Sequence, residues 1–286
     1  MPLDYQKLKH WKLEGLTHRF TVNDTILYAL GVGLGHDPVD EDQLRFVCEK
    51  QLRALPTMAT VLACPWGWLY EAGAHVTKVK AVHGEQGIRI HKALPVEGEV
   101  IGDTAVTHIV DKGKEKGAIV YSERKVYEKK TGDLLCTLGI STFCRADGGF
   151  GGPTGPVMQW QKIPDSAPDR YCDLATVPQA ALIYRLTGDR NPLHSDPAVG
   201  RAAGFGRPIL HGLCTFGVVG HALLKMYCNY DVTKLVAMNT RFSSPVYPGE
   251  TIRTETWREG VVVLFQAKIM ERDGIVVQSG HAEIAQ

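Results

Sequence analysis

The chain has 286 residues and a mass of 31.5 kDa, with 44% hydrophobic and 22% charged side chains. That composition excludes a disordered or collagenous chain and leaves room for one large domain or two ordinary ones. The net charge is +1, with no basic stripe of the kind a duplex-DNA reader carries, so no nucleic-acid partner is expected.

No apolar run approaches the ~18 residues of a membrane span, and the opening MPLDYQKLKHWKLEG lacks a signal-peptide core. No membrane partner is therefore expected. The final HAEIAQ is not a Ser-Lys-Leu type address. Cys48, Cys64, Cys136, Cys144, Cys172, Cys214 and Cys228 are odd in number and contain no CxxC pair, which argues against a zinc ribbon or a disulfide framework. Free thiols, most of them buried, in a reducing compartment are expected, cytoplasmic with a peroxisomal or other organelle matrix left open.

In chain order, the first half opens a helix at Thr21-Val22-Asn23-Asp24, which reads as a capping box. Tyr28-Ala29-Leu30 follows on that helix, then Pro56, then strands with a charged hairpin at Asp111–Gly117. Residues 146–170 hold five Gly and four Pro without periodicity and mark a linker. The second half repeats the landmarks in order: Thr176-Val177-Pro178-Gln179 as a second capping box, Tyr184-Arg185-Leu186, Pro208, then Gly249-Glu250 against Gly98-Glu99, and Gly280 against Gly139. A duplicated unit explains this order. The division predicted is 1–147, a linker over 148–170, and 171–286.

The pattern over His211–Tyr227 is apolar nearly all round, which predicts a largely buried helix. Gly217 and Gly220 each cost about 1 kcal/mol against Ala in a helix, so a close neighbour is expected at both. Leu235–Phe242 and Val261–Met270 alternate as strands, with turns at Arg258-Glu259-Gly260 and Arg272-Asp273-Gly274.

The chemistry concentrates between Tyr184 and Phe216. Gly188 is placed to cap a helix C-terminus and Pro192 forbids its continuation. Asp189, Asn191 and His194 then fall on a short irregular segment that can aim all three into one cleft. Gly212 opens the buried helix, where main-chain N–H groups are unpaired and the dipole favours negative charge. A carboxylate, an imidazole and a free amide are the parts needed to add water across a polarised double bond. Asp196 reads as a capping group and His211 as a residue that orients its loop. Two His at i, i+4 are absent, so no metal is expected.

Tyr184–Ala198, with Gly-Asp-x-Asn-Pro-Leu-His at its centre, and Gly204–Gly212 resemble the type-2, (R)-specific enoyl-CoA hydratases, known as MaoC-like. Arg241-Phe242, Pro245-Val246 and Pro248-Gly249-Glu250 are similar to that family's later strand motif. The first half, through Asp24–Gly33, Leu55-Pro56-Thr57 and His83-Gly84-Glu85-Gln86, resembles the non-catalytic half of its long members, the form found as the hydratase part of peroxisomal multifunctional enzyme type 2. The resemblance implies an α+β double hot-dog fold, two antiparallel sheets each wrapped around a helix. It implies reversible hydration of a trans-2-enoyl-CoA to the (3R)-3-hydroxyacyl-CoA in fatty-acid or steroid side-chain β-oxidation. Asp189 and His194 would be the acid/base pair, Asn191 would orient the water, and the Gly212 amide would bind the thioester oxygen. No cofactor is implied, CoA being part of the substrate, and homodimers are the family's habit.

In the repeat alignment Ala59-Thr60 stand for His211-Gly212, and Gly33 for Asp189. The first half is therefore expected to be catalytically silent, with the stretch holding Met58, Val61, Leu62, Trp66, Trp68 and Leu69 available to line an acyl pocket. Glu49 lies in a segment shared with eukaryotic long members and either borders the cleft or makes a surface ion pair. Arg89, Arg190, Arg201, Arg207, Arg241 and Lys268 are candidates for the CoA phosphates, unranked. The alternatives are a hot-dog thioesterase or acyl-carrier-protein dehydratase, and a non-catalytic acyl-CoA-binding protein.

Overall fold

The computed structural model describes residues 3–155 and 160–286. Residues 156–159 of the expected linker lie outside the described residues. The strands are β1 (Lys12–Phe20), β2 (Ala81–Ile90), β3 (Gly98–Asp111), β4 (Ala118–Glu128), β5 (Leu134–Cys144), β6 (Arg170–Ala175), β7 (Leu235–Phe242), β8 (Thr251–Glu259), β9 (Val262–Ile269) and β10 (Gly274–Ile284).

They form one ten-stranded sheet in the order β1-β3-β4-β5-β2-β7-β10-β9-β8-β6. Every pairing in it is antiparallel. Read outward from the β2–β7 junction, the two halves have the same order, so the topology itself is written twice. At the junction Glu85, Gln86 and Gly87 pair with Arg241, Thr240 and Asn239. The two sheets implied by the resemblance are thus joined edge to edge.

The helix Gly212–Leu223 lies against this sheet with all of its residues after Gly212 buried, and continues as a π turn over Leu224–Cys228. Its two interior glycines are close-approach sites, as expected. A Cβ on Gly217 would sit 2.4 Å from Val32 Cγ1, and one on Gly220 2.4 Å from Thr57 Cγ2. Val32 ends the first-half helix Val22–Gly31, and Thr57 belongs to a 3-10 turn, Pro56–Thr60. That turn stands in the first half where the repeat alignment would put a second buried helix. The space beneath it takes the fully buried Arg124, whose Nη2 donates to Thr60 O at 2.7 Å.

The first capping box forms, with Thr21 accepting from Asp24 N and Asp24 bonding back. The second does not. The helix starts later, at Ala180, with Gln179 at its N-cap. The Thr176 hydroxyl instead donates to Glu250 O and accepts from Gly249 N. Thr176 staples the chain to the Gly249-Glu250 turn, and Pro178 follows in a non-helical stretch.

Candidate active site

Helix Ala180–Tyr184 tightens into a 3-10 turn at Arg185–Thr187 and stops at Gly188, whose φ of +129° suits glycine. A second 3-10 turn, Pro192–His194, follows at once. Pro192 supplies the fixed φ at its first position, where a missing N–H costs nothing. Asn191 caps this turn, its Oδ1 accepting from Leu193 N at 3.1 Å, and Asp189 Oδ1 accepts from Asn191 N at 3.1 Å. The acidic and basic residues are therefore brought together by two successive turns and not by a helix face. Asn191 is exposed with its oxygen committed to the cap, which leaves only its amide nitrogen for the cavity. Asp196 caps the next helix through Ala198 N.

His194 is buried, and its Nδ1–H donates to Ile209 O at 2.9 Å. A carbonyl can only accept, so the proton sits on Nδ1 and the Nε2 lone pair is free. Burial lowers the pKa of this imidazole, which favours the neutral form. His211 is the N-cap of the long helix. Its Nε2–H donates to Asp189 O at 3.1 Å, and its ring stacks on His194 with centroids 3.7 Å apart. Burial first, and then His194, pushes its pKa down to about 3. Gly212 follows, and its N–H, the first of the helix, has no partner among the described residues.

Asp189, Asn191, His194 and Gly212 all border one cavity of about 350 Å³. One carboxylate oxygen of Asp189 and one ring nitrogen from each of His194 and His211 lie within 4.8 Å of one another. That grouping could in principle hold a metal ion. However, the two imidazoles stack nearly face to face, 27° apart, so their in-plane lone pairs run side by side, unlike the converging ligands of a tetrahedral site. Each ring donates one N–H to a main-chain carbonyl, which fixes its tautomer and leaves the other nitrogen free. The arrangement suits proton transfer better than ligation.

The first half supplies the opposite wall. Trp66, Trp68 and Leu69 border the cavity, whereas Met58, Val61 and Leu62 are spent on the core. His83 and Gln86 border it too. The His83 ring meets Phe242 edge-on at 5.2 Å, and Phe242 covers the position a Gly212 side chain would take, 3.5 Å away. Glu49 is exposed and does not border the cavity. Among the basic candidates, Arg89 pairs with Glu283 and Lys268 with Glu255. Arg145, which the sequence did not single out, is the one Arg or Lys on the cavity wall among the described residues. Its position one residue past β5 offered no local signal.

Residues 18–146 match the family described as MFE-2 hydratase 2 N-terminal domain, and residues 159–279 match MaoC like domain. A relative from Arabidopsis thaliana named "Enoyl-CoA hydratase 2, peroxisomal" is 38% identical over 96% of this chain and 93% of its own length. The chain belongs to the MaoC-like enoyl-CoA hydratase 2 family. Among solved structures, a MaoC-like dehydratase from Phytophthora capsici superposes on this hydratase-2 chain with a TM-score of 0.85 at 31% identity, covering 98% of each chain. A Mycobacterium tuberculosis protein described as a double hot-dog fold matches at a TM-score of 0.65 and 14% identity, over 100% of this chain and 98% of that one. At that identity the likeness speaks to fold alone, and the fold is the double hot-dog.

Proposed function

We propose that this chain reversibly adds water to a trans-2-enoyl-CoA to give the (3R)-3-hydroxyacyl-CoA. The observation that carries the reading is the meeting of the Asp189 carboxylate and the His194 imidazole in a cavity also bordered by the unpartnered Gly212 amide. A water held between the carboxylate and His194 Nε2 has acceptors for both of its protons, and its oxygen attacks C3. The electron pair of the double bond moves toward the thioester, whose oxygen becomes enolate-like against the Gly212 N–H. The proton released to the Asp189–His194 pair returns to C2, so the pair ends as it began. Asn191 holds the turn that carries both groups. No cofactor takes part, and CoA enters as part of the substrate.

The two halves divide the work: 171–286 carries the acid/base groups and 1–147 the wall that receives the acyl chain, joined by 148–170. A medium-to-long or bulky acyl group is the class assigned, with the apolar wall of Trp66, Trp68 and Leu69 in support. A role in fatty-acid or steroid side-chain β-oxidation and a homodimeric state follow the family pattern. The Arabidopsis relative is named as peroxisomal. Seven free cysteines suit a reducing compartment, cytoplasm or organelle matrix, and no described helix is long and apolar enough to cross a membrane. Incubation with trans-2-enoyl-CoAs of short, long and steroid side chain, with chiral analysis of the product, tests the reading. Release of free CoA thiol without a hydroxyacyl product would favour a thioesterase instead.

A further inference from the structure

His211 touches Asp189 and His194 and adjoins Gly212, yet it is 1% exposed and no acid/base step uses it. Its Nε2–H holds the main-chain carbonyl of Asp189, 22 residues earlier, at 3.1 Å. Its ring covers the face of His194 at 3.7 Å. The Tyr184 ring lies 5.1 Å from it, tilted by 48°. Its own chain runs straight into the Gly212 amide. Its carbonyl accepts from Thr215 N at 3.1 Å and from the Thr215 hydroxyl at 3.4 Å, so its backbone is fixed by the buried helix and cannot follow the Asp189 loop if that loop shifts. The loop, by contrast, is built of short local turns, with the His194 Nδ1–H donation to Ile209 O as its other tie. Nδ1 of His211 is buried without a partner.

We propose that His211 is a positioning residue: it locks the Asp189 carbonyl to the start of the buried helix and clamps the His194 ring, so that carboxylate, imidazole and amide keep one geometry. The inference rests on the assignment of Asp189 and His194 as the acid/base pair. The donation to Asp189 O requires the Nε2–H tautomer. A second cation here would stand one ring spacing from the imidazole that must accept a proton, so His211 works as a neutral ring. A misplacement of about 1 Å at a reacting group can cost about 100-fold in rate, and two separate holds on the pair guard against it.

Two substitutions divide the two holds. His211→Phe keeps a ring on His194 but loses the donor to Asp189. His211→Gln keeps a donor near the Nε2 position but uncovers His194. In His211→Phe, kcat on crotonyl-CoA should fall at least about 10-fold with KM nearly unchanged. In His211→Gln, kcat should fall less, and the acid limb of the pH–kcat profile should move upward as His194 regains solvent. Wild-type kcat and pH profile in both variants would overturn the proposal. So would equal losses that track only the folded fraction, with the pH profile unmoved. Nitrogen-15 spectra of the wild-type histidines between pH 5 and 8 provide a readout that needs no variant. His211 should stay neutral with the proton on Nε2, and a His211 that titrates in that range or carries its proton on Nδ1 refutes the role. Asp189→Asn run alongside separates the two levels. Retained hydration there sinks the acid/base reading, whereas its loss with unaffected His211 variants sinks only the positioning role.

Discussion

The indole of Trp66 occupies the space that a side chain on Gly188 would need: its Nε1 is 2.6 Å from where that Cβ would stand. A residue of the first half thus abuts the turn that carries Asp189. Gly188 also has φ +129°, a conformation that L side chains rarely adopt. Gly188→Ala should therefore push the turn away from Trp66 and lower kcat on crotonyl-CoA by at least about 10-fold without removing any acid/base group. Steady-state kinetics check this, and an unchanged kcat would show that the turn holds its place without that contact.

The crossing of the buried helix over the first half depends on Gly217. An added methyl group would meet Val32 Cγ1 at 2.4 Å and the Tyr28 hydroxyl at 3.0 Å, both on well-packed, buried side chains. The expected destabilisation from overpacking, about 1–3 kcal/mol, outweighs the gain in helix propensity of about 1 kcal/mol. Urea denaturation of Gly217→Ala should show a lower midpoint than wild type. A higher midpoint would mean that the two halves can separate at little cost.

Stability should fall in acid because of His211 and His221. Both are 1% exposed, and burial pushes their pKa values down to about 3 and about 4, from an unfolded value near 6.5. Between those limits the unfolded chain binds protons that the folded chain refuses. The stabilisation is therefore complete above pH 6.5 and is lost as pH falls toward 4. At pH 4.5 each histidine should cost about 2.5 kcal/mol. Urea midpoints at pH 7.5 and 4.5 measure the difference, and His221→Gln should reduce it. A midpoint independent of pH over that range would contradict the buried neutral state.

Activity should have its own acid limb. In the proposed mechanism His194 accepts a proton through Nε2 and so must be neutral, and burial lowers its pKa below the ordinary 6.5. Turnover should stay level as pH falls through 6.5 and drop only below it. An acid limb in kcat at or above pH 6.5 would show that His194 is solvated or plays another part.

The duplication, the buried helix and the Asp189–His194 segment were legible because each leaves a local mark: ordered landmarks, an all-round apolar stretch, and a Gly and a Pro that break the chain at fixed places. Three features left no such mark. The merging of two sheets depends on edge pairing between β2 and β7, which the residues flanking those strands do not announce. The clamp by His211 joins side chains 17 and 22 positions apart through a stack and a main-chain bond, and neither has a sequence period. The Thr176 cap failed because its hydroxyl finds a better partner in the distant Gly249-Glu250 turn than in the chain that follows it. Tyr28 and Tyr184, matched only as repeat landmarks, turn out to meet in the interior with ring centroids 5.9 Å apart.

The most direct test is the disappearance of the enoyl absorbance of crotonyl-CoA at pH 7.5, followed with wild type, Asp189→Asn and His194→Ala. Wild type should hydrate the substrate and kcat should fall at least about 100-fold in each variant, with KM little changed. Turnover near wild type in either variant would contradict the assignment of the pair that activates the water.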